Sequence, residues 1–400
     1  MNETARLLEP LYYEQFRCIG AACEDTCCNG WTVHVDQATY GKYQKCSDAH
    51  LATPLHTLVT INEKRTGDDD YAQITLSGDG CHFLAEGLCS IQQRLGEEYL
   101  SNMCATYPRV VNRAGEVRQR SLDLSCPEAA RMALLDPRPM QFGEGEFHDG
   151  EMRPGYVPEL DVAALSGMAE PYGLFREVRG RVIAHLQDRS QPIAQRLFRV
   201  GRVCEELTGR GVGGDDSTPE SQAAVQLETV LELIVARIRS DANPKRFLEC
   251  YGEFMQGLAW TPESTMEDIG GRYEEAYSSY YARFLSGYEH VLEHTLVNYA
   301  HRTLFPCGLP ESNRRLAQGR VPGVMAQYML MIAQYAILRT LLIGMAGFHR
   351  EGFAAGHAIK LIQACAKTFE HSLAFPGLAI AMLADKGMTT PRSLYALTGN

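Results

Sequence analysis

Cys18-Ile-Gly-Ala-Ala-Cys23-Glu-Asp-Thr-Cys27-Cys28-Asn-Gly-Trp31 sets four thiols within eleven residues, and five more follow by Cys126. The spacing is Cys18-x4-Cys23-x3-Cys27-Cys28, then Cys81-x7-Cys89-x14-Cys104-x21-Cys126-Pro127, with Cys46 standing apart. Nine of the 13 cysteines therefore lie in the first 126 residues, while Cys204, Cys250, Cys307 and Cys365 are scattered over the rest. Residues 1–16 lack a basic stretch followed by an apolar one, so no export signal is expected, and a secreted disulfide framework is the weaker reading. Clustered thiols in a reducing compartment point to metal ligands: Cys18, Cys23, Cys27, Cys28, Cys81, Cys89, Cys104 and Cys126. Eight thiols suffice for two four-thiolate sites or for one cluster with spare ligands. The bland alternative, small buried hydrophobes, fits such a cluster poorly.

Geometry restricts the sharing. On one unbroken helix, fifteen steps from Cys89 to Cys104 would separate their Cα atoms by about 22 Å. Thiolates on a shared zinc, each about 2.3 Å from the ion, lie only about 4 Å apart. A break is expected at Gly96, with residues 100–104 on a second short helix. Adjacent Cys27 and Cys28 require an irregular loop to face one ion, or else they serve different centres. All-thiolate coordination suits zinc and iron–sulfur alike, so spacing leaves the metal open.

Four hundred residues suggest two domains or one composite. With 45% apolar and 22% charged residues the chain is globular rather than disordered. A net charge of −11, from 38 Lys+Arg and 49 Asp+Glu, argues against bulk nucleic-acid binding. The fold class expected is α+β, predominantly α. A cysteine-rich domain over residues 1–135 reads as mixed structure, with strands over 31–35 and 117–124, a helix capped by Asp36, and a capping box at Ser90 with Gln93. Residues 136–158, rich in Pro, Gly and acid, read as a linker. Residues 159–400 read as an all-helical domain, with helices over 172–187, 194–207, 222–240, 244–258, 266–305, 324–348 and 353–384. Residues 208–220 read as a flexible loop. The apolar run 324–347 carries Gln327, Gln334 and Arg339, which a lipid-spanning helix would bear at a cost, so a buried core helix is expected and no membrane insertion.

Two constellations in the helical part invite functional readings. Tyr273, Tyr277, Tyr280, Tyr281, Phe284 and Tyr288 form an aromatic stripe, which reads more readily as core than as a ligand site. His290, His294 and His301 share a helix face, yet position 291 is Val, so the HExxH zinc pattern is missing and solvated or capped histidines are expected.

The motifs Phe16-Arg-Cys18, Cys23-Glu-Asp-Thr-Cys-Cys-Asn-Gly-Trp31, Cys81-His-Phe-Leu84, Cys89-Ser-Ile91, Leu95-Gly-Glu97, Cys104-Ala-Thr-Tyr-Pro-Arg109 and Ser125-Cys-Pro-Glu128 resemble the flagellin lysine N-methylase family. Its amino-terminal part is similar to a group of eight-cysteine zinc- or iron-chelating domains. The resemblance is specific over about residues 12–132 and continues weakly through Leu296-Val-Asn-Tyr299 and Leu304-Phe-Pro306. It implies a cytoplasmic enzyme that moves methyl groups from S-adenosylmethionine to lysine ε-amines of flagellin. It also implies an iron–sulfur centre of the four-iron (4Fe–4S) type, with zinc as the alternative, and it carries the eight cysteines over as a set. The Cys-x3-Cys-x2-Cys run of radical S-adenosylmethionine enzymes is absent, because Gly30 stands where the third cysteine would be. The glycine-rich 209–214 follows a helix, not a strand, so no nucleotide loop is assigned. Lysine methylation asks for a narrow channel lined by Tyr or Trp and ending in a polar group, near the junction of the two domains. Asn298 and Tyr299 receive no role, and neither a catalytic base nor a cofactor-binding residue is singled out. Two rivals remain: a zinc-stapled flagellin-binding module or export chaperone, and a redox or metal-delivery protein.

Overall fold

The computed structural model describes residues 4–78, 80–148, 153, 157–165, 170–209, 223–240, 242–316, 321 and 323–398. The chain enters on β1 (Thr4–Pro10), and short 3₁₀ turns lead through the first cysteines to β2 (His34–Val35). Asp36 then caps α1 (Gln37–Gln44), its Oδ1 accepting from Thr39 N at 2.9 Å, as the sequence predicts. Next come α2 (Ala52–Leu58), β3 (Val59–Ile61) and β4 (Ala72–Ile74), with β2-β4-β3 forming an antiparallel sheet. Two minimal hairpins follow, β5 (Leu76–Ser77) with β6 (Gly80–Cys81) and β7 (Leu84–Ala85) with β8 (Leu88–Cys89).

α3 (Ser90–Leu95) stops at Gly96, whose φ of +90° lies where glycine is favoured, and a 3₁₀ turn leads to α4 (Asn102–Thr106). The expected break is present. The capping box at Ser90 is not: Ser90 is already the first helical residue, and its Oγ donates to Phe83 O instead. The strand expected over 31–35 is confined to His34–Val35.

β9 (Arg109–Ala114) and β10 (Val117–Leu122) form a hairpin, and α5 (Pro127–Leu134) follows with Cys126 as its N-cap. β11 (Phe142–His148) pairs antiparallel with β1 along its whole length, while β1 runs parallel to β10, giving the order β11-β1-β10-β9. This corrects the linker assigned to 136–158. Its Gly- and Glu-rich sequence does not announce a strand, but β1 offers an open edge, and Phe147 buries itself on the sheet at 2% exposure.

The helical body comprises α6 (Pro171–Leu186), α7 (Ile193–Leu207), α8 (Ala223–Ser240), α9 (Lys245–Gly257), α10 (Met266–Ala276), α11 (Ala282–Arg302), α12 (Pro310–Leu316), α13 (Gly323–His349), α14 (Ala355–Cys365), α15 (Phe375–Asp385) and α16 (Pro391–Tyr395). Helix accounts for 59% and strand for 12%, an α+β fold dominated by helix. Two expected helices need correction. The 266–305 stretch passes through a π turn at Tyr277–Tyr281 and ends at Arg302, four residues before Pro306, which could not continue it. The 353–384 stretch breaks after a π segment, Ala366–Glu370, and restarts at Phe375 with Pro376 in its first turn. Of the loop expected over 208–220, residues 210–220 lie outside the described residues, as does most of the glycine-rich run 209–214.

α13 is the axle of the body. Gly323–Gly352 is long and apolar enough to cross a membrane, yet 94% of its most apolar window is buried inside the protein. It packs on α7, α8, α9, α10, α14 and α15. Its crossing with α9 depends on missing side chains: a Cβ at Gly257 would lie 1.8 Å from Gly344 O, and one at Gly344 would lie 2.3 Å from the Phe254 ring. The cysteine-rich unit has its own small core, from Val33 to Leu100. Leu124, Ala130, Leu134 and Met140 join the core of the body instead. Residues 124–140 therefore contribute side chains to the core of the body although they precede the boundary expected at 135 or just follow it.

Candidate functional site

Three of the eight cysteines, Cys81, Cys89 and Cys126, sit at the ends of short elements. Cys81 closes β6 and Cys89 closes β8, where it also caps α3. Cys104 lies in α4, with its N–H bonded to Ser101 Oγ, and Cys126 caps α5. Cys27 and Cys28 occupy a turn that is tied to β6 by Cys81 N donating to Cys28 O at 2.5 Å. A cavity of about 470 Å³ is lined by Cys18, Cys23, Cys27, Cys28, Cys89 and Cys126, together with Tyr107, Lys245, Arg246 and Glu249. Cys81 and Cys104 are not part of its lining but lie within electrostatic reach of Cys28 and Cys89. All thirteen cysteines are free, and Cys46 lies apart from the cavity wall.

Among the described residues no three His, Cys, Asp or Glu side chains converge closely enough to hold a single ion. The thiols surround a space instead of meeting at a point. As donors they are uniformly soft, which fits zinc or iron–sulfur chemistry and excludes a hard-cation site. A hydrogen bond from Cys27, helped by Thr26 and Lys367, brings the Cys28 thiol down to about 7 and pushes its partner Cys27 upward. Burial raises Cys81 and Cys126 to about 11 and Cys104 to about 12. Ligation at neutral pH must therefore expel protons from most of the set, and affinity rises with pH.

The helical body grips this unit largely through Gln363 to His371, and Arg246 of α9 adds an ion pair to Glu24. Lys367, only 2% exposed, donates to Asp25 Oδ2 at 3.1 Å, Thr26 O at 2.8 Å and Asn29 Oδ1 at 2.7 Å, and lies 5.1 Å over the Trp31 ring. Gln363 Nε2 donates to the same Asp25 and to Ser125 O. The His371 ring packs on Trp31, which also packs on Tyr107. His371 Nε2 lies 3.1 Å from Ser125 Oγ and 3.4 Å from Asp123 Oδ2. Serine, histidine and aspartate thus stand together, but both contacts use the same ring nitrogen, so no hydrolase-type relay exists. Asp123 stays ionised despite burial because Arg302 and His371 face it. Arg302 in turn contacts Glu370.

The opposite face of that stretch lines a slot of about 40 Å³ between α11, α13 and the π segment. Its walls are Leu292, Leu296, Met331, Leu338, Ile362 and Phe369, and its polar groups are Tyr299, Gln334, Tyr335 and Glu370. One helical layer therefore separates the slot from the cysteine unit.

A family model for the FliB lysine N-methylase C-terminal domain matches residues 215–397. The flagellar biosynthetic protein FliU of Salmonella muenchen is 33% identical over 137 residues, covering 34% of this chain and 81% of that protein. The chain belongs to the flagellin lysine N-methylase family. Lysine-N-methylases of Salmonella typhimurium and Salmonella choleraesuis are each 31% identical over 137 residues, an alignment that spans 34% of this chain and 34% of either enzyme. No solved structure matches the chain.

Within this family framework the sequence candidates sort clearly. The aromatic stripe is core: Tyr281 and Phe284 are buried and Tyr273 and Tyr277 flank Arg339, while Tyr288 reaches the surface. The three histidines do not bind metal together, and two are not solvated. His294 and His301, each 1% exposed, donate to Ala133 O and Arg120 O, and burial takes His301 down to about 3. Asn298 bridges Tyr12 and Leu122 O, a structural duty. Asp25, Trp31, Tyr107 and Ser125 lie inside the quoted motifs but went unassigned, because a motif does not say what each member touches. Lys367, Glu370 and His371 carry no local signal beyond polar residues interrupting an apolar helix.

Proposed function

We propose that this chain is a cytoplasmic protein-lysine N-methyltransferase that uses S-adenosylmethionine to methylate flagellin and carries a cysteine-bound iron–sulfur centre. The observation that carries the reading is the FliB lysine N-methylase domain match over residues 215–397, set beside a cysteine-rich unit clamped onto that same helical body. Thirteen free thiols suit a reducing compartment. The acidic chain, at −11, draws lysine-bearing surfaces toward it in a salt-dependent way.

S-adenosylmethionine supplies the methyl group as a sulfonium. The substrate nitrogen forms the new N–C bond as the C–S bond breaks, and the ammonium proton leaves to solvent. The protein must present the ε-amine neutral although its ordinary pKa is about 10.4, which apolar surroundings favour. Cys18, Cys23, Cys27, Cys28, Cys81, Cys89, Cys104 and Cys126 would hold the metal centre, which would cross-link the loops of their unit and could supply redox capacity.

The test is to incubate the anaerobically purified protein with flagellin and methyl-labelled S-adenosylmethionine. Label on flagellin lysines is expected. Tight flagellin binding without label would favour a binding module, and zinc without iron or sulfide would replace the cluster with a staple.

A further inference from the structure

We infer that the slot between α11, α13 and the Ala366–Glu370 segment receives the aliphatic side chain of the substrate lysine; this rests on the methyltransferase reading. Size comes first. A water needs about 10–15 Å³ of such space, so 40 Å³ holds about three. A nucleoside-sized ligand needs roughly 300 Å³ or more and is excluded, whereas a linear alkyl chain is not.

Chemistry comes second. Leu338 and Phe369 offer apolar walls along the slot. Tyr299 and Tyr335 both line the slot and are 7% and 6% exposed. Each phenol pairs an apolar ring with a polar tip, so two of them on one slot suit a ligand with an apolar stem and a polar head. Glu370 adds a carboxylate. Its Oε2 is paired with Arg302, and the residue lines the slot. Gln334 and Glu370 are half-buried, so the slot reaches the surface, where a folded substrate can insert one side chain. A tetramethylene chain ending in an amine matches apolar walls with acceptors at the end. The same walls favour the neutral amine that methyl transfer requires.

The probe is n-pentylammonium, with 1-pentanol as the uncharged control, in ligand-observed NMR on the metal-loaded protein. Saturable binding of the amine, at least about tenfold tighter than the alcohol, is expected, and Leu338→Trp should abolish it. Equal binding of amine and alcohol would reduce the slot to a greasy hole and overturn the proposal. In the flagellin assay, Leu338→Trp should lower kcat/KM about a hundredfold, and Tyr335→Phe should raise KM several-fold at unchanged melting temperature. Should Leu338→Trp fail to fold, the Tyr299→Phe/Tyr335→Phe pair carries the test, and unchanged KM in that pair overturns the slot. Wild-type rates in a folded Leu338→Trp would sink the slot and leave the methyltransferase standing. Absence of any transfer by the wild type, with amine binding intact, would instead sink the enzymatic reading.

Discussion

The cysteine-rich unit and the helical body are built by opposite means. The unit buries eleven apolar side chains in its own cluster and relies on strands of two and three residues. The body threads a 27-residue helix through its centre, with nearly every position from Val324 to Ala346 buried. A core as small as the first rarely holds a fold alone, and natural proteins of that size add staples. The body needs none. On the proposed metal-centre reading, the thiols would supply such a staple where hydrophobic burial runs short.

That contrast can be broken experimentally, and the most severe test is metal removal. Chelation, or Cys104→Ser, should melt the cysteine unit tens of degrees early while the body keeps its helical circular dichroism; calorimetry should resolve two transitions. One shared transition would mean that the unit and the body fold only together. In the body, Glu293 is 1% exposed and bonded to Arg189 at 2.8 and 2.9 Å and to buried Arg196 at 3.0 Å. Glu293→Ala strands Arg196 without that partner, and denaturant titration should show a loss of about 3–5 kcal/mol. Gly257→Ala forces α9 off α13 and should cost about 1–3 kcal/mol, with metal content unchanged.

A pH titration sharpens the comparison further. His301 titrates near its ordinary 6.5 when unfolded but near 3 when folded. Between those values the unfolded state binds more protons, so stability falls as pH drops below 6.5. The slope should be about 1.4 kcal/mol per pH unit, and His301→Gln should flatten it. The smallest effect belongs to Cys46→Ser, which should leave bound metal as it is; a loss there would show that the thiols are partitioned differently.

Much of this architecture is legible in the sequence, and the exceptions are instructive. The break at Gly96 and the Asp36 cap follow from residues within one turn of each other. The helices of the body announce themselves by period. β11 does not, since Phe142–His148 becomes a strand only because β1 lies alongside it. The π segment at Ala366–Glu370 is equally silent, yet it turns Lys367 toward the cysteine loop and Glu370 toward the slot.

Sequence alone determined the eight-thiol set, the helical class of the larger part and the family resemblance, because spacing, periodicity and motif are properties of neighbours along the chain. Tertiary structure decided that six of the eight thiols line a cavity, that Lys367 reaches Asp25 across 342 positions, and that Tyr299 and Tyr335 share one slot. Such meetings depend on how helices cross and which faces they bury, and packing sets those angles only once all the partners are present.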